Sequence, residues 1–311
     1  MSAAITTTGL AKNFGKVHAV EGVTLGIDEG EMFGLVGPDG AGKTTTIRML
    51  CGILLPSAGS ARVLGLDIVR EADRVKRQIG YLSQRFSLYG DLSVDENIEF
   101  FAEINGVNDF ARRREELLEF TRLTPFRGRL AERLSGGMKQ KLALACTLVH
   151  TPRIIFLDEP TTGVDPVSRR DFWRILQALL TEGITIVMTT PYLDEAERCT
   201  RVALMHAGRL MKVDTPERLK AQMRGEVVEI VCGPARKAFA LLKAQTPERE
   251  VQMFGDRLNV IVENSRRERP ALEQALRAGG VSIASSRVIS PSLENVFISL
   301  LTGSQQNERT V

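Results

Sequence analysis

The densest chemistry in the chain lies in Gly37-Pro38-Asp39-Gly40-Ala41-Gly42-Lys43-Thr44-Thr45. The run fits G-x-x-x-x-G-K-[ST], a loop whose backbone N–H groups converge on a phosphate. Gly37, Gly40 and Gly42 let the main chain curl, and a helix starting near Lys43 adds its positive end. Lys43 brings a point charge for the β- and γ-phosphates, and the Thr44 hydroxyl can ligate Mg²⁺. The apolar run Met32, Phe33, Leu35 and Val36 predicts a buried strand before the loop, and Ile47, Leu50 and Leu54 predict a helix after it. An ordinary glycine-rich turn requires neither the Lys-Thr pair nor these flanks.

A second chemical cluster follows Ile154-Ile155-Phe156-Leu157, which reads as a buried parallel strand. Asp158 and Glu159 then stand at a strand's carboxyl end, where open α/β sheets bind ligands. Adjacent strand residues point opposite ways, so the two carboxylates can take separate roles. Asp158 suits Mg²⁺, through water, and Glu159 suits polarising an attacking water.

Three further features are ambiguous when taken singly. Gln84 ends the strand Ile79–Gln84 and reads as a surface amide or as a group orienting a Mg²⁺-bound water. Leu134-Ser135-Gly136-Gly137-Met138-Lys139-Gln140 opens a helix. Ser135 alone reads as its N-cap, with a phosphate grip as the alternative. Phe14, in the turn Lys12-Asn13-Phe14-Gly15, alone reads as core, with stacking on a base as the alternative.

The elements that must position these groups follow from patterning. Residues 1–31 alternate apolar and polar and predict short antiparallel strands. Arg62–Leu66 predicts another strand, after a loop at Pro56–Ser60. Residues 92–134 predict a helical insertion, with Ser93 and Glu96 as a capping box. Asp165-Pro166 starts a further helix with Asp as cap. Ile184–Met188 is a buried strand ending in Thr189-Thr190-Pro191-Tyr192, and Val202–Val213 folds back through Ala207-Gly208 as a hairpin. Beyond Pro216 the order strand, helix, strand, strand, helix, strand, helix predicts a small α+β domain.

Composition narrows the class. The chain has 311 residues, 43% of them hydrophobic, enough for one large core and a smaller domain. Its net charge of +3 gives no argument for a nucleic-acid partner. Cys51, Cys146, Cys199 and Cys232 lack metal-ligand spacing and read as reduced, mostly buried thiols. No apolar stretch approaches the ~18 residues needed to span a bilayer. If the protein serves a membrane, another chain must cross it.

Phosphate loop, Gln84, Leu-Ser-Gly-Gly and Leu-Asp-Glu-Pro occur together and in this order. Over about residues 5–215 the set resembles the ATP-binding-cassette ATPases. The resemblance implies an α/β P-loop NTPase cassette with a RecA-like core, an antiparallel β subdomain and a helical subdomain at about 90–140. The expected divisions are a cassette over 1–215, a linker over 216–225, an α+β domain over 226–302 and a polar tail over 303–311. By this resemblance Phe14 stacks on the base, Gly37–Thr45 form Walker A, and Asp158 and Glu159 are the Walker B acid and catalytic base. Gln84 lies in the Q-loop, with a catalytic and metal-facing role, so Thr44, Gln84 and Asp158 surround Mg²⁺. Ser135, Gly136, Gly137 and Gln140 belong to the signature that closes over the ATP of a second cassette, identical or not. Asp165 lies in the D-loop.

Arg85-Phe86-Ser87-Leu88-Tyr89, with Leu92–Asn97, is similar to export cassettes that serve ABC-2-type permeases. Pro291–Phe297 is similar to the tail domain of drug-resistance members. The implied function is an ATP-hydrolysing subunit powering export of drugs or other small amphipathic molecules. Two positions depart from the pattern. Asp39 stands where Asn is usual, and Pro191 stands at the switch histidine that touches the γ-phosphate. Proline offers no side-chain donor and no N–H. The alternative expectation is therefore an ATP-gated regulatory module with little turnover.

Overall fold

The computed structural model describes residues 3–84, 87–223, 225–245 and 250–308. Arg85 and Phe86 of the exporter-like run lie outside them. The chain divides into two compact units, Met1–Val213 and Asp214–Val311.

The first unit opens with two long strands, β1 (Ala3–Phe14) and β2 (Val17–Asp28), where the alternation predicts several short ones. Register shifts along their antiparallel pairing absorb the breaks in alternation. Strand β3 (Met32–Val36) is buried throughout and runs into the phosphate loop and α1 (Lys43–Leu50). The expected strand at Arg62–Leu66 is instead a hairpin, β4 (Ala58–Val63) and β5 (Leu66–Asp67). Leu64 (φ 52°) and Gly65 (φ 78°) form its turn, with both central residues left-handed as a tight hairpin requires. These strands make a sheet in the order β2-β1-β4-β5.

A short α2 (Ala72–Lys76) leads to β6 (Ile79–Leu82). The helical insertion holds α3 (Val94–Ile104) and α4 (Ala111–Thr121), and α5 (Gly136–Leu148) follows it. Ser93 and Glu96 exchange both capping-box bonds at the start of α3. The remaining elements are β7 (Ile154–Asp158), α6 (Pro166–Thr181), β8 (Thr185–Thr190), α7 (Leu193–Ala196), β9 (Arg201–His206) and β10 (Arg209–Asp214). The central sheet runs β10-β9-β3-β8-β7-β6. Strands β9, β3, β8, β7 and β6 are parallel to one another. Their inner members, β3, β7 and β8, are buried along their whole length, as strands covered on both faces are. The residues with predicted chemistry follow β3, β7, β8 and β6, neighbours in the sheet, and so gather along one carboxyl edge.

The second unit begins with α8 (Pro216–Ala221), capped by Thr215, where the sequence reading has only a linker. It continues with β11 (Glu226–Gly233), α9 (Ala235–Gln245), β12 (Val251–Phe254), β13 (Arg257–Val262), α10 (Ser265–Ala278), β14 (Ser282–Ile289) and α11 (Leu293–Glu308). Strand order β12-β13-β11-β14, with antiparallel pairing throughout, makes this a split βαβ sheet. Its core includes Val228, Ile230, Leu242, Leu258, Val260, Leu272 and Leu276. The last helix continues to Glu308, into residues expected to be a polar tail.

Candidate functional site

The phosphate loop is shaped by close main-chain neighbours. A Cβ on Gly37 would lie 2.1 Å from the Met205 carbonyl oxygen, and one on Gly42 would lie 2.4 Å from that of Ala19. Gly42 is also left-handed (φ 98°) as the N-cap of α1, so no other residue fits there. The loop lines a cleft of about 940 Å³ together with Phe14, Gln84, Glu159, Pro191 and Tyr192. Phe14 is 50% exposed, which excludes the core reading, and Lys12 Nζ lies 5.2 Å from its ring centre. Asp39 is exposed on the cleft wall.

Lys43 is buried, and its ammonium donates to the carbonyls of Gly37 (2.8 Å) and Pro38 (3.0 Å). The same nitrogen lies 3.4 Å from Glu159 Oε1. The other Glu159 oxygen accepts from Gln84 Nε2 at 2.9 Å. Glu159 is a non-glycine residue with φ 47°, a left-handed conformation that ends β7 and swings its side chain toward the loop. Two carboxylates adjacent in sequence therefore face different partners.

Asp158 Oδ1 accepts from the Thr44 hydroxyl at 2.8 Å, and Oδ2 from Tyr81 Oη at 3.4 Å. Burial pushes the Tyr81 phenol above its ordinary range, so it stays a neutral donor. Thr44 and Asp158 thus set a hydroxyl and a carboxylate side by side, the hard-oxygen donors that Mg²⁺ takes alongside water and phosphate oxygens. Gln84, expected near the metal, has its amide nitrogen on Glu159.

The signature residues do not line this cleft. Ser135 caps α5 by accepting from Met138 N–H. Gly136 is exposed, whereas Gly137 is buried against Ser168. Gln140 differs from expectation. It is fully buried and donates to the Pro160 carbonyl of its own chain, so it braces α5 against the turn after β7 and faces no partner. Asp165 caps α6, accepting from the N–H groups of Val167 and Ser168, each at 3.0 Å. The Ser168 hydrogen bonds, foremost, hold its carboxyl below the usual range.

Two buried polar residues escaped the sequence reading. Thr189 touches both Asp158 and Glu159. Glu195 accepts from Thr161, from Arg169 Nε (2.6 Å) and from Thr190 Oγ1 (2.8 Å). The available signal was the Thr189-Thr190 pair closing an otherwise apolar strand. Its meaning depends on the pairing of β8 with β7, which aligns Thr189 with Asp158.

Residues 20–162 match the model of the ABC transporter family, and residues 215–301 match that of the ATP-binding protein DrrA1-3-like C-terminal domain. The chain is 41% identical to the probable multidrug ABC transporter ATP-binding protein YbhF of Escherichia coli (strain K12), over 98% of this chain and 53% of that one. The chain thus spans about half the length of that relative. It is 36% identical to the daunorubicin/doxorubicin resistance ATP-binding protein DrrA of Streptomyces peucetius, over 99% of this chain and 94% of the relative. Among solved structures it resembles an ATP-binding subunit of an ABC transporter (TM-score 0.64, 28% identity, 70% of this chain and 92% of that one). It also resembles the cassette MJ0796 in a dimeric post-hydrolysis state bound to ADP and Pi (TM-score 0.62, 25% identity, 68% and 98% covered).

Proposed function

Because this chain belongs to the ABC transporter family of ATP-binding cassettes, we propose that it binds and hydrolyses Mg-ATP to power export through a separate ABC-2-type permease. The observation that carries the reading is the convergence of Lys43, Thr44, Glu159 and Gln84 on one cleft at the phosphate loop, with the buried Asp158 bonded to Thr44 behind it. In this reading the loop N–H groups and Lys43 hold the phosphates, and Phe14 stacks on the base. Thr44 and Asp158 hold Mg²⁺, which draws charge from the phosphates. Glu159 takes the proton of the attacking water as Gln84 orients its carboxylate.

Two cassettes pair so that Ser135 and Gly136 of one close over the nucleotide of the other, and Asp165 lies at that junction. The DrrA-like match of the second unit and the resistance relatives support drugs or similar amphipathic molecules as cargo. No described helix is long and apolar enough to cross a membrane. In the exporter reading its place is peripheral, at the cytoplasmic face of the inner membrane, bound to the permease.

A second reading, an ATP-gated module with little turnover, draws on Pro191 in the cleft wall. Phosphate release by the purified chain, with and without Glu159→Gln, tests both. The export reading expects steady Mg-ATP turnover that falls at least about a hundredfold in the variant while ATP binding persists. Wild-type turnover near zero with intact ATP binding would favour the gated module. Turnover indifferent to the substitution would remove Glu159 from the mechanism.

A further inference from the structure

We infer that Thr189 is a positioning residue that sets both carboxylates of the site with one hydroxyl. The inference rests on the ATPase reading above. The Thr189 side chain is fully buried at the end of β8, opposite Asp158 in the parallel register. Its hydroxyl donates to Asp158 Oδ1 at 2.7 Å and accepts from the Glu159 N–H at 2.9 Å.

Each bond has a distinct purpose. Asp158 Oδ1 receives the Thr44 hydroxyl and the Thr189 hydroxyl together, which fixes the rotation of the carboxylate beside Thr44. Glu159 leaves the strand in a left-handed conformation that a non-glycine residue adopts only when its surroundings hold it. Its N–H is buried where the strand ladder stops, and the Thr189 oxygen supplies the acceptor. The hydroxyl therefore couples the direction of the Mg²⁺-facing carboxylate to the backbone angle that aims the Glu159 side chain at Lys43 and Gln84. Valine at this position has the same shape but neither donor nor acceptor, whereas serine keeps both.

The test compares Thr189→Val, Thr189→Ala and Thr189→Ser in the full chain. Two quantities are read: the Mg²⁺ half-saturation for binding of a fluorescent ATP analogue, and kcat and KM for ATP. The expected result for Val is about a tenfold rise in Mg²⁺ half-saturation and about a tenfold fall in kcat, with KM for ATP within about twofold. Ala follows Val, which keeps the test decisive should Val fail to fold, and Ser stays near wild type. Val and Ala matching wild type in both quantities would overturn the inference. So would Ser failing as badly as Ala, because a packing role alone would then explain the data. A wild type that binds Mg-ATP without turnover would overturn the ATPase reading instead, and the Mg²⁺ series would still decide Thr189.

Discussion

Arg169 Nε donates to Glu195 Oε1 at 2.6 Å, joining α6 to a carboxylate that is only 1% exposed. Glu195 also receives the hydroxyls of Thr161 and Thr190, and the Arg169 guanidinium lies over the Tyr192 ring at 5.1 Å. One buried carboxylate thus ties the turn after β7, the end of β8 and α6 to the stretch containing Pro191. A buried charge is tolerable only while it is paired.

Arg169→Met should therefore cost about 3 kcal/mol of stability, because Glu195 would keep two hydroxyl donors but lose its cation. Urea unfolding of the variant measures this. A midpoint equal to wild type would show that the hydroxyls alone satisfy Glu195.

Lys43→Ala should weaken ATP binding by about a hundredfold, since charge-assisted bonds to phosphate are worth up to about 3 kcal/mol. Lys43 is buried but bonds only loop carbonyls and Glu159, so the fold should survive the loss. Titration with a fluorescent ATP analogue, beside a circular dichroism spectrum, checks both halves. Unchanged affinity would sink the phosphate-loop assignment.

Pro191→His should raise the rate of hydrolysis by up to about a hundredfold, the value of one preorganised donor aimed at developing charge. Pro191 lines the cleft, and the backbone after it is anchored by the Tyr192 N–H on Thr190 Oγ1 at 3.0 Å. If the rate does not rise, the neighbouring Tyr192, which lines the same cleft, becomes the candidate donor. Tyr192→Phe in both backgrounds then decides: a loss confined to the proline background would assign the role to Tyr192.

His150 gives the fold a pH dependence. Burial lowers its pKa from the ordinary 6.5, against a hydrogen bond to the Ile79 carbonyl at 2.9 Å, and its Nδ1 is buried without a partner. The folded protein thus prefers the neutral ring. As pH falls through 6.5 the unfolded chain takes up the proton first, so the His150 contribution is full above that value and declines toward the folded pKa. His150→Gln, whose amide can still donate to Ile79, should therefore lose less stability than wild type as the pH falls from about 7.5 to about 5.5. Urea midpoints at the two values measure it, and equal slopes would exclude His150 as the source.

Local chemistry was the legible part of this chain. The phosphate loop, the Ser93–Glu96 box, the Asp165-Pro166 start of α6 and the Ala207-Gly208 turn each depend on residues within a few positions of one another. The order of elements beyond Pro216 was also readable, because each strand and helix there has its own period and breaks. What escaped depends on partners far along the chain. Leu64 carries no turn signal, yet it takes a left-handed angle where β4 meets β5. Gln140 looks free to meet a ligand until Pro160 is folded against it. Thr189 and Glu195 acquire their roles only when β8 lies beside β7 and α6 packs nearby, since hydrogen bonds between residues 26 to 34 positions apart leave no periodic trace.

The nearest atoms that crowd the phosphate loop, the carbonyl oxygens of Met205 and Ala19, belong to main chain, with the flexible Met205 Cε, 2.9 Å from a Cβ on Gly42, behind them. Every residue type carries that oxygen. Substitution at position 205 or 19 therefore leaves this wall standing as long as β9 and β2 keep their course, and no change there relieves the crowding at Gly37 or Gly42. The tolerance is one-sided: the walls can drift in sequence, while the loop cannot gain a single carbon at either glycine.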